Sequence, residues 1–477
     1  MRPESKSLPA ASERPVALVA AAALASALPP MNSVVLFVAL VPIRDDFGIS
    51  TATVAWLVTG YLIASAAMQP VGGRLGDLFG RRRVFFVGLA QTLAASALAM
   101  TAPNFELLLF FRINQAVAGG LIVPNAIAML RAHGPPASRG RSFGFVSASI
   151  GCGVGVGPVL SGVLIVALGW RSIFAISFPL VAIILVLALR GMPAARPERA
   201  RGGLDILSPF FIFGGLASMM LTGGWLGREG DGRFAGAAVF GAGVLAFGGA
   251  FAWWQRRSES PLVQAELFAR GRAYRVGAIG AVLMSVCTFT GLVYLPLYVQ
   301  DMLGSSERAA GLLLGVLAFF SVGLAPLVGF LSDRFGRRPM AMVGAAIFTF
   351  AMLMTNALGA STPWWYLVLM MCAWGLGSVF LNSPNETASM ESVPARLAGS
   401  AAGVYSTLRY VGGIVGTTVL AGVIGGGGLN DPGRLHVLTA VLTIAAAGTI
   451  LTSSRLHRWP PDQQRADNGA EPAADAP

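Results

Sequence analysis

The sequence has few charged residues and few cysteines for its length. Asp, Glu, Lys and Arg together make up 12% of its 477 residues, whereas an ordinary soluble domain contains about 25%. Hydrophobic residues make up 55%, and the mean hydropathy is +0.68. A chain with so little polar surface cannot cover a soluble fold. The composition therefore excludes a soluble multidomain enzyme, a disordered protein and a fibrous protein, and it indicates a polytopic membrane protein.

The residue types that build metal, redox and nucleotide sites are scarce or scattered. Cys152, Cys287 and Cys372 lie in separate apolar runs without CxxC spacing, and the three histidines are isolated from one another. We interpret the cysteines as small apolar packing residues. The sequence contains no GxxxxGK[ST] segment for binding ATP phosphates. We therefore predict no catalytic residues, no metal site and no cofactor.

Long apolar runs are the main feature that is present. A spanning helix needs roughly 20 apolar residues, and the glycines and prolines inside these runs favour helices over barrel strands. The sequence predicts fourteen spans: 16–43, 53–72, 84–102, 106–130, 142–168, 172–190, 207–226, 234–254, 274–300, 309–331, 340–359, 364–388, 400–424 and 435–453.

The distribution of basic residues predicts the topology. If the N-terminus is cytoplasmic, 26 of the 34 basic residues lie on the cytoplasmic side, six lie outside and two lie within spans. This bias is the positive-inside pattern. It predicts an even number of helices, both termini in the cytoplasm and a location in a bacterial inner (plasma) membrane. It also accounts for the net charge of +12 without nucleic acid as a partner.

A ten-residue segment occurs twice and suggests an internal duplication. Residues 73–82 read GRLGDLFGRR and residues 329–338 read GFLSDRFGRR, and each follows an apolar span. The copies lie eight spans apart, as expected for two six-helix bundles with two helices inserted between them. The predicted parts are a cytoplasmic segment (1–15), the first bundle (16–190), linkers with two inserted helices (191–272), the second bundle (273–455) and a disordered tail (456–477).

The repeated segments are predicted to act as gating loops. The glycines permit a tight turn, and the Asp accepts hydrogen bonds or pairs with Arg. Such a latch would hold the two bundles together on the cytoplasmic side in one state and release them in another. The residues concerned are Gly73, Asp77, Gly80 and Arg81 in the first copy and Gly329, Asp333, Gly336 and Arg337 in the second.

These loops resemble the loop 2–3 signature of the major facilitator superfamily. The predicted number of fourteen spans is similar to that of its drug:proton antiporter branch. Arg112 with Gln115 resembles the RxxQG signature of such exporters, with Ala116 in place of Gly. Residues 153–162 resemble the antiporter signature GxxxGPxxGG. The matching residues are Gly153, Gly157, Pro158 and Gly162, with Ser161 replacing a glycine. The resemblance implies an all-α major facilitator fold with fourteen transmembrane helices, which works in efflux.

The glycines of this segment lie one helical turn apart, and this spacing has a structural consequence that does not depend on the resemblance. Gly153 and Gly157 allow a neighbouring helix to approach closely, and Pro158 removes a backbone hydrogen bond. The pattern is compatible with a helix at the bundle interface that supports rocking, and equally with a static packing seam.

The first span departs from the family pattern. The branch usually has an Asp there, a candidate proton site, and this sequence has Asn32, which cannot titrate. Charged residues within the membrane are functional candidates by default. The candidates for coupling and transport are therefore Asn32, Arg112, Gln115, Glu386, Asp301 and Arg409. Glu386 and Asp301 are each open to a second interpretation as a solvated helix end, and the two arginines are expected to face a watery cavity or a partner.

The sequence thus predicts a monomeric exporter of small, amphipathic drug-like or antibiotic compounds that works by alternating access with proton antiport. Its partners would be the substrate, protons and the lipid bilayer. Asn32 keeps open a facilitator or exporter of one endogenous metabolite without strict proton coupling. A third interpretation is a sensor or scaffold on a transporter fold, which would move no substrate.

Overall fold

The computed structural model describes residues 13–133, 139–193, 205, 207–228, 230, 232–258, 267–268, 272–393, 398–424 and 432–457. Residues 1–12 of the predicted N-terminal segment, residues 194–204 and 259–266 of the predicted linkers, and the predicted tail from 458 onward lie outside the described residues.

The regular structure of the described residues is helical. The α-helices are α1 Glu13–Phe47, α2 Thr51–Val54, α3 Trp56–Phe79, α4 Arg81–Met100, α5 Phe105–His133, α6 Arg139–Leu168, α7 Ser177–Gly191, α8 Leu207–Leu226, α9 Arg233–Arg257, α10 Arg272–Leu297, α11 Glu307–Gly323, α12 Ala325–Phe335, α13 Arg337–Met354, α14 Trp364–Glu391, α15 Ala398–Ile424 and α16 Pro432–Ser454. Short 3₁₀ segments cover Trp170–Ile176 and Thr355–Ala357, and a π-helical turn covers Tyr298–Met302.

Each of the fourteen predicted spans falls on helical structure. Among the described residues, ten helices are long and apolar enough to cross a membrane by length and composition. The prediction of an all-α membrane fold is therefore confirmed.

The predicted span 309–331 is not one continuous helix. It is divided at Leu324 into α11 and α12, and Pro326 lies in the first turn of α12. Proline has no N–H to donate and its ring clashes with the preceding turn, so it suits a helix start better than a helix interior. Pro384 behaves differently, because α14 continues through it to Glu391. Proline therefore does not break this helix.

The helices form two packed groups and an inserted pair. In the first group, α1 packs on α5, α6 and α7, and α5 packs on α3 and α4; in the second, α14 packs on α11 and α13, and α10 packs on α15 and α16. The groups meet where α6 packs on α11 and where α3 packs on α15. We call the end of the molecule that carries the two repeated segments the repeat end, and the other the opposite end.

The inserted helices α8 and α9 pack closely on one another. Of the two, α8 also contacts both α3 and α15, and therefore touches both groups. Helix α9 is peripheral, and Ala237 is the buried residue among those of α9 that the structure describes. Its exposed apolar residues, such as Val239 and Leu245, suit a surface that faces lipid.

Candidate functional site: the interface of the two helix groups

Arg112 is enclosed in the first group. Its side chain is 1% exposed, and Nη1 donates a 2.6 Å hydrogen bond to Oε1 of Gln115. Gln115 in turn donates to Oγ of Ser96 at 2.7 Å. The guanidinium lies 4.6 Å from the ring centroid of Tyr61, a favourable cation–π distance. The hydroxyl of Tyr61 donates to the carbonyl of Pro29, so the cluster ties α5 to α1, α3 and α4.

The hydrogen-bonding capacity of Arg112 is not saturated. Its Nε and Nη2 atoms are buried and have no hydrogen-bond partner among the described residues. Unsatisfied buried polar groups are rare and costly, and a buried charge is more so. The sequence predicts a watery cavity or a partner for this arginine. In the structure, an amide and an aromatic face contact it in place of a carboxylate.

Asn32 is buried in α1 and takes part in a neutral hydrogen bond. The hydroxyl of Ser177 donates to Oδ1 of Asn32 at 3.0 Å. An amide at this position holds α1 to α7 without carrying charge, because Asn does not ionise.

The structure brings together two residues that the sequence singled out separately. Glu386 on α14 and Arg409 on α15 approach to 3.7 Å between Oε2 and Nη1, and their side chains are 47% and 44% exposed. Both lie in the second group, towards the repeat end. Their exposure means that each can exchange its partner for water or a ligand at small cost.

The two repeated segments form matching turns. Gly80 and Gly336 both have φ of +96°, a backbone region that favours glycine, and each turn joins two helices. Asp77 pairs with Arg81 at 3.1 Å. Asp333 likewise pairs with Arg337, four residues further on. Both aspartates therefore form these pairs within their own helix group.

The second turn has an additional anchor. Arg337 is 12% exposed and its Nη2 donates to Oε1 of Glu391 at 2.9 Å. His457 lies 3.5 Å from the other carboxylate oxygen of Glu391. Helices α12, α13 and α14 and the residues after α16 are thus connected at the repeat end. Gly329 has open space around its Cα, as does Gly73 apart from Pro124 at an ordinary van der Waals distance.

At the opposite end an ion pair joins the two groups. Arg44, in the last turn of α1, donates from Nη1 and Nη2 to the two carboxylate oxygens of Asp301, at 2.6 and 2.9 Å. Asp45 accepts a further hydrogen bond from Nε of Arg44 at 2.8 Å. Next to the pair, Gln300 donates to the carbonyl of Val38. The bidentate geometry is the strong form of an Arg–carboxylate contact.

The antiporter-like segment of α6 contacts two different helices. Gly153 and Gly157 face α1, where an added Cβ would lie 3.0 Å from the Ala27 carbonyl and 2.7 Å from a methyl of Val34. The hydroxyl of Ser161 donates to the Val35 carbonyl at 2.6 Å. The serine that replaces a signature glycine therefore bonds α6 to α1.

The far part of the same segment faces the other helix group. A Cβ on Gly162 would lie 2.9 Å from the carbonyl of Glu307, and a Cβ on Gly311 would lie 2.6 Å from the carbonyl of Pro158. Close packing through glycines brings the backbones of α6 and α11 together. This seam and the Arg44–Asp301 pair close the opposite end.

A cavity of about 840 Å³ lies towards the repeat end. Its walls come from α3 and α5 of the first group, α15 of the second, and both inserted helices, and they include Gly73, Arg74 and Asp77 of the first repeated segment. The two groups are thus in close contact at the opposite end, and a cavity lies beside the repeat end.

Two parts of this site were not anticipated from the sequence. Arg44 is one of the six basic residues that the predicted topology assigns to the outer side, and its partner lies 257 residues away. Tyr61 and Ser96 are uncharged, and only the packing of α3, α4 and α5 places them at Arg112. A scan for charged residues at span ends would have identified Arg44, but not its pairing.

Comparisons with known proteins agree with this architecture. Residues 22–417 match the family model of the Major Facilitator Superfamily. The chain is 30% identical over 419 residues to the tetracenomycin C resistance and export protein of Streptomyces glaucescens, across 85% of this chain and 75% of that protein. It is 30% identical over 408 residues to a multidrug resistance protein B homolog of Mycobacterium tuberculosis, across 83% and 74% of the two chains.

Solved structures show the same fold at low identity. A D-xylose–proton symporter superposes with a TM-score of 0.67 at 15% identity, covering 92% of this chain and 97% of that one. A POT family transporter in complex with 5-aminolevulinic acid gives a TM-score of 0.68 at 13% identity, covering 92% and 95%. The resemblance drawn from the sequence motifs is confirmed: the chain belongs to the major facilitator superfamily of multi-pass membrane transporters.

Proposed function

We propose that the protein is a monomeric secondary transporter that exports small amphipathic compounds across the bacterial inner membrane by alternating access and proton antiport. The observation that carries this proposal is the asymmetry between the two ends of the interface. The Arg44–Asp301 pair and the Gly162–Gly311 seam join the groups at the opposite end, while a cavity opens between them near the repeat end.

The excess of basic residues near the repeat end supports a cytoplasmic position for this end and for both termini. In that orientation the structure is an inward-facing state, which is the state that receives an exported compound. The relatives named for tetracenomycin C export and multidrug resistance support export of drug-like molecules.

The Glu386–Arg409 pair is our candidate for proton coupling. Both side chains are about half exposed and lie 3.7 Å apart, so protonation of the carboxylate would remove an attraction and free the guanidinium. Asn32 cannot perform this role, since its amide is neutral and engaged by Ser177. Asp301 is assigned instead to the gate, because it crosses the interface to Arg44.

Arg112 is assigned a supporting role as a fixed positive charge. Two of its nitrogens lack partners among the described residues, so it raises the local potential in the first group and disfavours a second cation nearby. Gln115 positions it through the 2.6 Å hydrogen bond. These charges favour neutral or anionic substrates over lipophilic cations.

The test uses everted membrane vesicles with an acidified interior and a panel of cationic, neutral and anionic compounds. Antiport predicts that a substrate discharges the pH gradient in vesicles that contain the protein and not in vesicles that lack it. Glu386→Gln should abolish this discharge and retain binding. Glu106→Gln is the matched control, since Glu106 is exposed in the first turn of α5 at the opposite end. Equal discharge by wild type and Glu386→Gln would refute the assignment of Glu386.

Asn32 favours a second candidate, a facilitator or exporter of a single endogenous metabolite without strict proton coupling. Asn32 forms a neutral hydrogen bond with Ser177 at the position where the branch usually has a titratable Asp. Labelled substrate that moves only down its own gradient, at a rate that an uncoupler does not change, would establish this candidate in place of the antiporter.

A further inference from the structure

The inserted helices form two walls of the cavity near the repeat end. Helix α8 lies against both α3 and α15, one from each group, and α9 closes the outer side with Val244, Gly248 and Phe251. The start of α8 is fixed to the end of α9, because Nε1 of Trp254 donates to Asp205 at 3.0 Å.

The interior of the cavity is apolar, and the two carboxylates among its lining residues, Asp77 and Asp205, both have partners. Aromatic and aliphatic side chains line it, among them Phe211, Ile212 and Val404. At its edge, Asp205 accepts hydrogen bonds from the backbone N–H and hydroxyl of Ser208. Asp77 pairs with Arg81. An occupant therefore meets hydrocarbon inside and polar groups, already paired, at one end.

The size and position of the cavity restrict the occupant further. A volume of about 840 Å³ falls in the range of drug-sized ligand sites, about 300–1,000 Å³. The outer wall is α9, whose residues are largely exposed, so the cavity adjoins the lipid phase. A single helix thus separates the cavity from the adjacent leaflet.

The cavity is shaped by both helix groups at once. Gln69 and Gly73 on α3 and Thr407 and Val411 on α15 all line it. Any rocking that brings the groups together near the repeat end changes the spacing of these walls. A ligand held there stabilises the state in which the walls are apart, because it binds that state more tightly.

We propose that this cavity, built by the inserted helices, is a binding site for an uncharged amphiphile that enters from the cytoplasmic leaflet and is transported. This assignment rests on the proposed export function and adds to it an entry site and a substrate class. It gives α8 and α9 a role that two six-helix groups alone would lack.

The helix α9 offers a closely matched pair of variants. Gly248 lines the cavity and Gly249 does not, and an added Cβ would meet no atom within 4 Å at either position. Both are exposed residues in the interior of the same helix, so Gly248→Leu and Gly249→Leu change helix propensity equally. Only the first places a side chain in the cavity. Gly403→Leu fills it from α15, since Gly403 also lines the cavity with open space at its Cα.

The experiment is photolabelling of the full chain in nanodiscs of phosphatidylethanolamine and phosphatidylglycerol. The probe is an uncharged long-chain alcohol that carries an aliphatic diazirine, and peptide mass spectrometry locates the label. We expect a saturable component on α8, α9 and α15. Because the added side chain would occupy space that the probe needs, Gly248→Leu and Gly403→Leu should weaken this component by about tenfold, which corresponds to about 1.4 kcal/mol, and Gly249→Leu should not.

Label that rises linearly with probe concentration, and equally in all three variants, would overturn the site. A diazirine-bearing phospholipid is the second arm. If it labels the same peptides and excess alcohol does not displace it, the occupant is a resident lipid and the substrate assignment is wrong. Failure of the proposed export function is distinguishable, because it removes compound-driven proton release in vesicles while leaving saturable labelling in nanodiscs unchanged.

Discussion

Neutralising Asp301 should shift the protein away from the state described here. The carboxylate accepts two hydrogen bonds from Arg44, at 2.6 and 2.9 Å, and the two side chains are 26% and 19% exposed. Loss of a hydrogen bond to a charged group costs about 1.5–3 kcal/mol when the site is partly shielded from water. The pair connects the two helix groups only when the opposite end is closed. Asp301→Asn should therefore raise the ratio of outward-open to inward-open molecules by about tenfold to a hundredfold.

Asp45→Asn is the matched control for this substitution. Asp45 also bonds to Arg44, at 2.8 Å, but it is the next residue in the same helix. Its removal weakens no contact between the groups, so the populations should stay close to those of the wild type. Exchanging the two charges in the double variant Arg44→Asp/Asp301→Arg should restore the wild-type ratio in part.

Double electron–electron resonance between spin labels on the opposite end gives the populations directly. Thr101 lies between α4 and α5 and Ser361 lies between α13 and α14, and both are exposed, so cysteines there report the separation of the groups. The background lacks the three native cysteines. If Asp301→Asn and Asp45→Asn give the same distance distribution as the wild type, the ion pair does not contribute to closure and this reasoning is refuted.

Two further predictions concern packing and buried charge. Gly311→Leu should destabilise the closed seam, because its Cβ would lie 2.6 Å from the Pro158 carbonyl. Gly323→Leu, with open space at its Cα, should not. The resonance distances between the labels at the opposite end distinguish the two variants. Gln115→Leu removes the acceptor of Arg112 and should lower the free energy of unfolding by about 1.5–3 kcal/mol. Asn114→Leu, at the partly exposed neighbouring position, removes only neutral hydrogen bonds, a 3.4 Å bond from Gln91 and a bond within its own helix, and should lower it by about 1 kcal/mol or less. Equal thermal midpoints for the two variants would contradict the role of Gln115.

The fold was accessible from the sequence because the signals that determine it are local. Apolar run length and Arg distribution predict the spans without any knowledge of packing. The structure differs from the predicted span 309–331, because the helix is divided at Leu324. Pro326 is a local signal for this division, but the run is apolar throughout and was therefore predicted as one span. Pro384 shows the limit of that signal, since α14 continues through it.

The candidate site was predictable in its parts and not in its contacts. Arg112 and Arg409 stood out because charge within a span is costly. Most of their partners depend on helix packing, which has no local sequence signal: Glu386 on α14 reaches Arg409 on α15, and Tyr61 on α3 reaches Arg112 on α5. Gln115 is the exception, because it lies three residues after Arg112 on the same helix. The same holds for α8, whose contacts with α3 and α15 follow from three-dimensional assembly alone.

The two repeated turns differ in a way that bears on gating. Near the repeat end, Asp77 and Arg81 are 37% and 35% exposed, and an exposed pair of this spacing contributes about 0.3–0.5 kcal/mol. Arg337 is 12% exposed and also bonds to Glu391, so releasing it would leave a shielded charge with fewer partners. The sequence repeat predicts a latch at each of the two turns. We infer instead that the first turn exchanges partners as the groups rock, while the second anchors α12, α13 and α14. Breaking the Asp77–Arg81 pair then costs less free energy than breaking the Arg44–Asp301 pair at the opposite end.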